Sequence, residues 1–279
     1  MGEYVRAAYL AVGLLLPLLV LLRMVHPYPS TQDLALSFLL GMGGTLLVLL
    51  IRGIGTWPSG GLSGAFLTAG ALEEGVKLTL GLLFLRRLEV EVRIGPAEAA
   101  IVLAFLGAGF EAVEDFQYLI GGLSQGIPLG EVVAARALPM HLALGLACGG
   151  YLARALAGRP WWFLVSWALA CALHGGFNSV AGSAGFPLTA GYAGGVVLWG
   201  LSSFFFWHRR SPWALRRRLA RMDPWEAAQE VRSLGWEGVK LLLSEKARSS
   251  AAWWVLALGL GILYPLLVLG LGLLMEAMV

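Results

Sequence analysis

Apolar runs of about twenty residues recur along this chain, and a bilayer-spanning helix needs that length. Eight are recognised, at 7–25, 34–51, 62–85, 97–120, 136–157, 161–182, 187–207 and 252–275. Charged residues make up 13% of the chain, about half the share in soluble domains (~25%). The expected fold is all-α: a polytopic membrane helix bundle of about eight transmembrane helices. The first run has no basic stretch before it and is followed by His26-Pro27-Tyr28-Pro29, so it reads as a retained helix and not as a cleaved signal. The expected organisation is a membrane bundle over 1–208, a cytoplasmic basic amphipathic helical segment over 209–250, and a C-terminal transmembrane helix within 251–279. Cys148 and Cys171 both fall inside runs and read as small packing residues.

Lys and Arg set the orientation. Sixteen of the twenty follow the odd-numbered runs, ten of them between Arg209 and Arg248. Only Arg6, Arg52 and Arg136 lie on the other side, and Lys77 sits within a run. Both termini are therefore expected outside, in a multi-pass protein of the cell membrane. The net charge of +3 serves topology here and does not indicate nucleic acid. Arg136 reads as an interfacial anchor.

The third run contains Ala71-Leu72-Glu73-Glu74-Gly75-Val76-Lys77. A charge at the bilayer centre costs about 2.5–3.5 kcal/mol even on the lenient insertion scale, so three in five residues must face partners or water. Lys77 lies four residues after Glu73 and three after Glu74, within helical reach of both. The fourth run carries Glu111, Glu114 and Asp115 on one side of a helix, and Gly107 and Gly109 leave room for a close neighbour. The fifth contains His141 and a Gly145/Gly149 spacing that suits helix packing. The sixth holds His174 and Asn178 on a shared face. Gly191 and Gly195 in the seventh also suggest close packing.

Helical rise gives depth. Glu73 lies about 17 Å below the outer end of its run, Glu114 about 9 Å, His141 about 8 Å, His174 about 12 Å and Asn178 about 6 Å. Four helices thus deliver acids and imidazoles to one layer, the form of a polar cavity open to the outer side. Two His and a Glu with a second Glu as base is the composition of a hydrolytic zinc site. The same groups also work without metal, a Glu activating water and His174 with Asn178 steadying the oxyanion. The sequence leaves both schemes open.

Together, Glu73-Glu74-x-x-Lys77, the Gly-Phe-x-x-x-Glu-Asp run ending in Glu114-Asp115, His141, and His174-x-x-x-Asn178 resemble the PrsW family of intramembrane proteases. That family is related to the CAAX-processing prenyl endopeptidases, in which a Glu-Glu-x-x-x-Arg motif takes the place of Glu-Glu-x-x-Lys. The resemblance covers roughly 62–180. It implies a multi-spanning peptidase, usually classed as a metallopeptidase, that cuts membrane-anchored proteins; the best-known role is the first cut of an anti-sigma factor on its outer side. Asp115 departs from the Asn that often follows the Glu, and the C-terminal region also differs, so substrate identity is not carried over.

The expected assignment is an intramembrane endopeptidase acting on membrane-anchored proteins. Glu73 or Glu74 serves as base, Lys77 holds the pair, and Asn178 steadies the oxyanion. Glu114, His141 and His174 bind Zn2+, or orient water and carbonyl in its absence. Two alternatives remain: a proton-coupled transporter that relays protons through the same acids and imidazoles, and a non-catalytic membrane scaffold in which the charges are structural pairs.

Overall fold

The computed structural model describes residues 15–26, 29–58, 60–91, 94–127, 139–183, 186–209 and 218–233, with Ala7, Ala11, Val132 and Ser211 as single positions. The expected last span, Arg136 and most of 209–250 lie outside the described residues. Every described element is helical. In chain order these are α1 (Leu16–Val25), α2 (Thr31–Ile54), a short turn α3 (Gly61–Ser63), a π-helical segment (Gly64–Glu73), α4 (Glu74–Glu91), α5 (Pro96–Ser124), α6 (Met140–Leu156), α7 (Trp161–Ser183), α8 (Phe186–His208) and α9 (Pro224–Ser233).

Four of these helices, α2, α5, α7 and α8, are long and apolar enough to cross a membrane. The expected count of about eight is not reached among the described residues. The described parts of the first and fifth runs form apolar helices of 10 and 17 residues. The third run is broken into α3, the π segment and α4, and it carries Glu73, Glu74 and Lys77. The molecule is nonetheless that of an integral membrane protein, with large side chains such as Leu50, Ile54, Leu62 and Leu198 turned outward.

Helix α5 is the axis, buried along most of its length. Pro96 opens it at a position where a missing N–H costs nothing. Helix α2 starts at a capping box: the Ser30 hydroxyl accepts the Asp33 N–H, and the Asp33 carboxylate accepts the Ser30 N–H, each at 3.2 Å. In lipid, helices associate through close packing and interhelical hydrogen bonds, not through the hydrophobic effect. Both are present around α5. A Cβ at Gly109 would overlap the Phe38 carbonyl of α2, and one at Gly107 the His141 carbonyl of α6. Gly145 and Gly149 meet the α5 backbone at Leu103 and Ala100 in the same way. The Ser37 hydroxyl donates to the Val102 carbonyl (2.7 Å) and the Thr45 hydroxyl to the Phe110 carbonyl (3.2 Å), tying α2 to α5. By contrast, Gly191 and Gly195 have open space where a Cβ would stand, so the packing expected of them is not found among the described residues. Both cysteines are free; the Cys148 and Ser166 side chains bond each other's backbone carbonyls across α6 and α7.

The Gly107 contact fixes where α6 begins. Gly107→Ala is expected to destabilise the protein by about 1–3 kcal/mol through overpacking and to lower activity by displacing His141. Thermal unfolding in detergent beside a cleavage assay checks this, and a variant as stable as wild type would show that the contact is loose.

Within 209–250 the described helical element is α9, which has no buried residue. The Asp223 carboxylate accepts the N–H groups of Glu226 (3.1 Å) and Trp225 (2.8 Å), which holds it below the usual carboxylate range and starts the helix. Arg218 pairs with Glu230 across the exposed surface.

Candidate active site

The π segment delivers the first acid. Its ten residues include Gly64 and Gly70, poor α-helix formers, and its wider turns free carbonyls that need donors. Helix α7 supplies them: the Trp167 indole donates to the Ala71 carbonyl (3.0 Å) and the Cys171 thiol to the Gly70 carbonyl (3.1 Å). Glu73 ends this segment and Glu74 begins α4. An unbroken α-helix was expected here. Instead, the change of register at the junction gives the two adjacent glutamates different partners.

Glu74 is buried among cations and imidazoles. Its Oε1 accepts from the Lys77 ammonium at 2.5 Å and from His174 Nδ1 at 2.7 Å, and it lies 3.4 Å from His141 Nδ1. Lys77 also bonds His141 Nδ1 and sits 4.4 Å from the centre of the Phe110 ring. With Nδ1 accepting from Lys77, His141 donates through Nε2 to Glu114 Oε2 at 2.6 Å. The Tyr118 hydroxyl donates to the other Glu114 oxygen at 3.2 Å. The two imidazoles meet edge to face, centroids 4.7 Å apart.

Glu73 was expected to share Lys77 with Glu74. It pairs instead towards His174, whose Nε2 is 4.0 Å from Glu73 Oε2. That oxygen is buried and accepts no hydrogen bond among the described residues. His174 donates from Nδ1 to Glu74, so its Nε2 presents a lone pair towards the bare carboxylate oxygen. Ligand atoms of Glu73, His141 and His174 all lie within 4.8 Å of one another. The expected ligand trio was Glu114, His141 and His174. The mutual grouping contains Glu73, and Glu114 stands beside it on His141.

Glu111 has a separate task. Helix α6 has Pro139 at its N-cap position and no side-chain cap of its own. Glu111 reaches across from α5 and accepts the N–H groups of Met140 (2.5 Å), His141 (3.4 Å) and Leu142 (3.3 Å). A carboxylate at a helix N-terminus satisfies orphan donors and complements the dipole. It also holds His141 in place. Asp115 is buried on the same helix.

A cavity of about 420 Å3 opens beside the cluster, with Glu73, Glu114 and Asn178 in its wall. Asn178 is therefore at the site; Glu74 and Lys77 are not in this wall. The end of the bundle that holds this cavity is the one where α2 finishes and α3 begins.

A family model described as PrsW family intramembrane metalloprotease matches residues 29–207. The chain belongs to the PrsW family. No curated protein and no solved structure matches it. All five helical elements that carry the converging side chains lie within the matched PrsW region. Membership supports membrane protease function, hence a hydrolase, over the transporter and scaffold alternatives.

The metal implied by the PrsW name has a donor set that suits it. Three protein ligands from His and Glu with a position left open is the pattern of a catalytic zinc site, and the bare Glu73 oxygen facing a lone pair is what such a set presents. The Glu74 bond to His174 Nδ1 is the carboxylate–imidazole support that metal-binding histidines have.

A second buried polar group went unread in the sequence. His26, just after α1, bonds Glu98 at the start of α5 (3.1 Å) and His208 at the end of α8 (2.9 Å between Nδ1 atoms). Glu98 is sixteen residues before Glu114 on the same helix, about 24 Å away along the axis. Polar groups thus gather at both ends of the bundle, contrary to the expectation that they share one layer. Nothing in local spacing signals a bond between residues 182 apart.

Proposed function

We propose that the chain is an intramembrane endopeptidase that cuts membrane-anchored proteins, with its site in the extracytoplasmic half of the bilayer. The observation that carries this reading is the convergence of Glu73, His141 and His174 within 4.8 Å beside an open cavity that Glu114 also lines. The charge bias of the loops supports the orientation, which places the α2–α3 end outside and the 209–250 segment in the cytoplasm.

Glu73, His141 and His174 would hold a divalent metal, zinc being the natural choice for this donor set; His141 would give up one of its two ring-nitrogen bonds, to Lys77 or to Glu114, to do so. When bound, it supplies Lewis acidity and a more acidic water. The remaining roles follow from position. Glu74 fixes the His174 tautomer through Nδ1, and Lys77 neutralises Glu74. Glu111 holds the start of α6. Glu114, on the cavity wall, accepts the proton of the attacking water and returns it to the leaving amine. Asn178 donates to the carbonyl oxygen as charge builds on it. The peptide bond between carbonyl carbon and nitrogen breaks, and water supplies hydroxyl to one fragment and hydrogen to the other.

The test separates metal from chemistry. The full chain, reconstituted in liposomes with single-span membrane proteins, is expected to cleave them and to contain about one metal per chain. Glu114→Gln should retain that metal and lose about 10²- to 10⁴-fold in rate. His174→Ala should lose both. Wild-type protein that carries metal but cleaves no membrane-anchored protein overturns the reading.

A further inference from the structure

The elements that line the cavity differ in side-chain size and charge. One wall is the α3–π stretch, presenting Gly60, Gly61, Gly64, Ala65, Thr68 and Ala69. No side chain there is larger than threonine, and the space over Gly60 and Gly61 is open. At the inner end lies Glu73, buried, with its unpartnered oxygen. A wall of this kind lets a backbone approach closely, as that of an extended peptide would.

Helix α2 also lines it, contributing Thr45, Val48, Leu49 and Arg52 at helical spacing, as does α5 with Phe110, Glu114, Gln117 and Tyr118. Thr45 marks the depth of the cluster: it bonds the Phe110 carbonyl, and the Phe110 ring packs 5.0 Å from His141. Arg52 lies seven residues further along, about 10 Å nearer the mouth. Among the described residues it is the cavity's one lining cation, it is exposed, and it has no hydrogen-bond or ion-pair partner. On the proposed orientation it is also among the few basic residues on the outer side.

We propose that Arg52 is a specificity-determining residue, which pairs at the cavity mouth with an acidic side chain of a substrate lying extended along the small-residue wall. The inference deepens the protease reading and rests on it. An extended chain rises about 3.3 Å per residue, so 10 Å corresponds to about three residues. The acidic side chain sits two to five residues from the scissile bond, on the extracytoplasmic side. Glu73 and Glu114 at the floor repel an acid placed nearer the cut, which sharpens the position. A mouth-level ion pair gives a preference on the order of fivefold, weakened by salt.

The experiment reconstitutes the full chain in liposomes with a library of single-span reporter proteins, randomised over ten residues that straddle the extracytoplasmic membrane boundary. Cut sites are read by mass spectrometry. Wild type is expected to show Asp and Glu enriched about fivefold at the two-to-five-residue window, with less enrichment at high salt. Arg52→Lys should keep the enrichment and Arg52→Gln should lose it. Arg52→Glu should invert it towards Lys and Arg, an outcome that a merely structural role for Arg52 does not produce. Unchanged cut-site profiles in the Gln and Glu variants overturn the inference while leaving the protease reading intact. Absence of any cleavage by wild type overturns both.

Discussion

Glu73→Gln is expected to remove measurable cleavage while the protein still folds and inserts. The carboxylate has one buried oxygen without a hydrogen-bond partner among the described residues, and His174 Nε2 stands 4.0 Å from it. The amide is isosteric, so packing is retained. It is also neutral, so it no longer attracts a cation between itself and the two imidazoles. A loss of about 10³-fold or more is expected, which corresponds to about 4 kcal/mol of barrier. Metal content should fall with it, in contrast to Glu114→Gln. Activity within tenfold of wild type, with metal bound, would remove Glu73 from the centre.

Lys77→Ala is expected to have the largest effect on stability. Lys77 is buried and makes a 2.5 Å bond to a carboxylate that is equally buried. Removing one partner of a buried pair leaves the other charge uncompensated, a cost of about 3–5 kcal/mol. The double variant Glu74→Gln with Lys77→Met removes both charges and should recover much of that loss, because buried pairs replaced together are often nearly neutral. It should not recover full activity. His174 would keep a hydrogen bond through Nδ1 but lose its carboxylate, and outer-sphere partners of this kind are worth about 10- to 100-fold. Thermal unfolding in detergent and cleavage rates separate the two effects. If Lys77→Ala alone unfolds with wild type, Glu74 does not depend on the ammonium.

The residues that converge were legible because charge is costly in an apolar run. Glu73, Glu74, Lys77, Glu114, His141 and His174 all stood out on that ground. Their partners were not legible in the same way. Helical spacing allowed Lys77 to serve both glutamates, but the π-to-α junction separates them, and a π segment leaves no periodic mark in so apolar a stretch. Glu111 was visible as an acid, yet its bond to the α6 amides crosses between helices and has no sequence spacing. The glycines make the same point from the other side. Gly145 with Gly149 and Gly191 with Gly195 share one spacing, and among the described residues only the first pair meets a backbone. A glycine permits close approach; what approaches is decided by the rest of the bundle. The matched family region, residues 29–207, contains all of these positions, which is why the membrane protease class could be read when the individual bonds could not.

The converging side chains come from the π segment, α4, α5, α6 and α7, and the last of them, His174, lies more than a hundred residues downstream of Glu73. Synthesis proceeds from the N-terminus, and a chain halted before α7 has inserted holds the acids and one imidazole but not the other. On the proposed assignment, a growing polypeptide on the ribosome is therefore expected to be inert towards its neighbours in the translocation machinery, with the ability to cut arising only once the bundle is assembled.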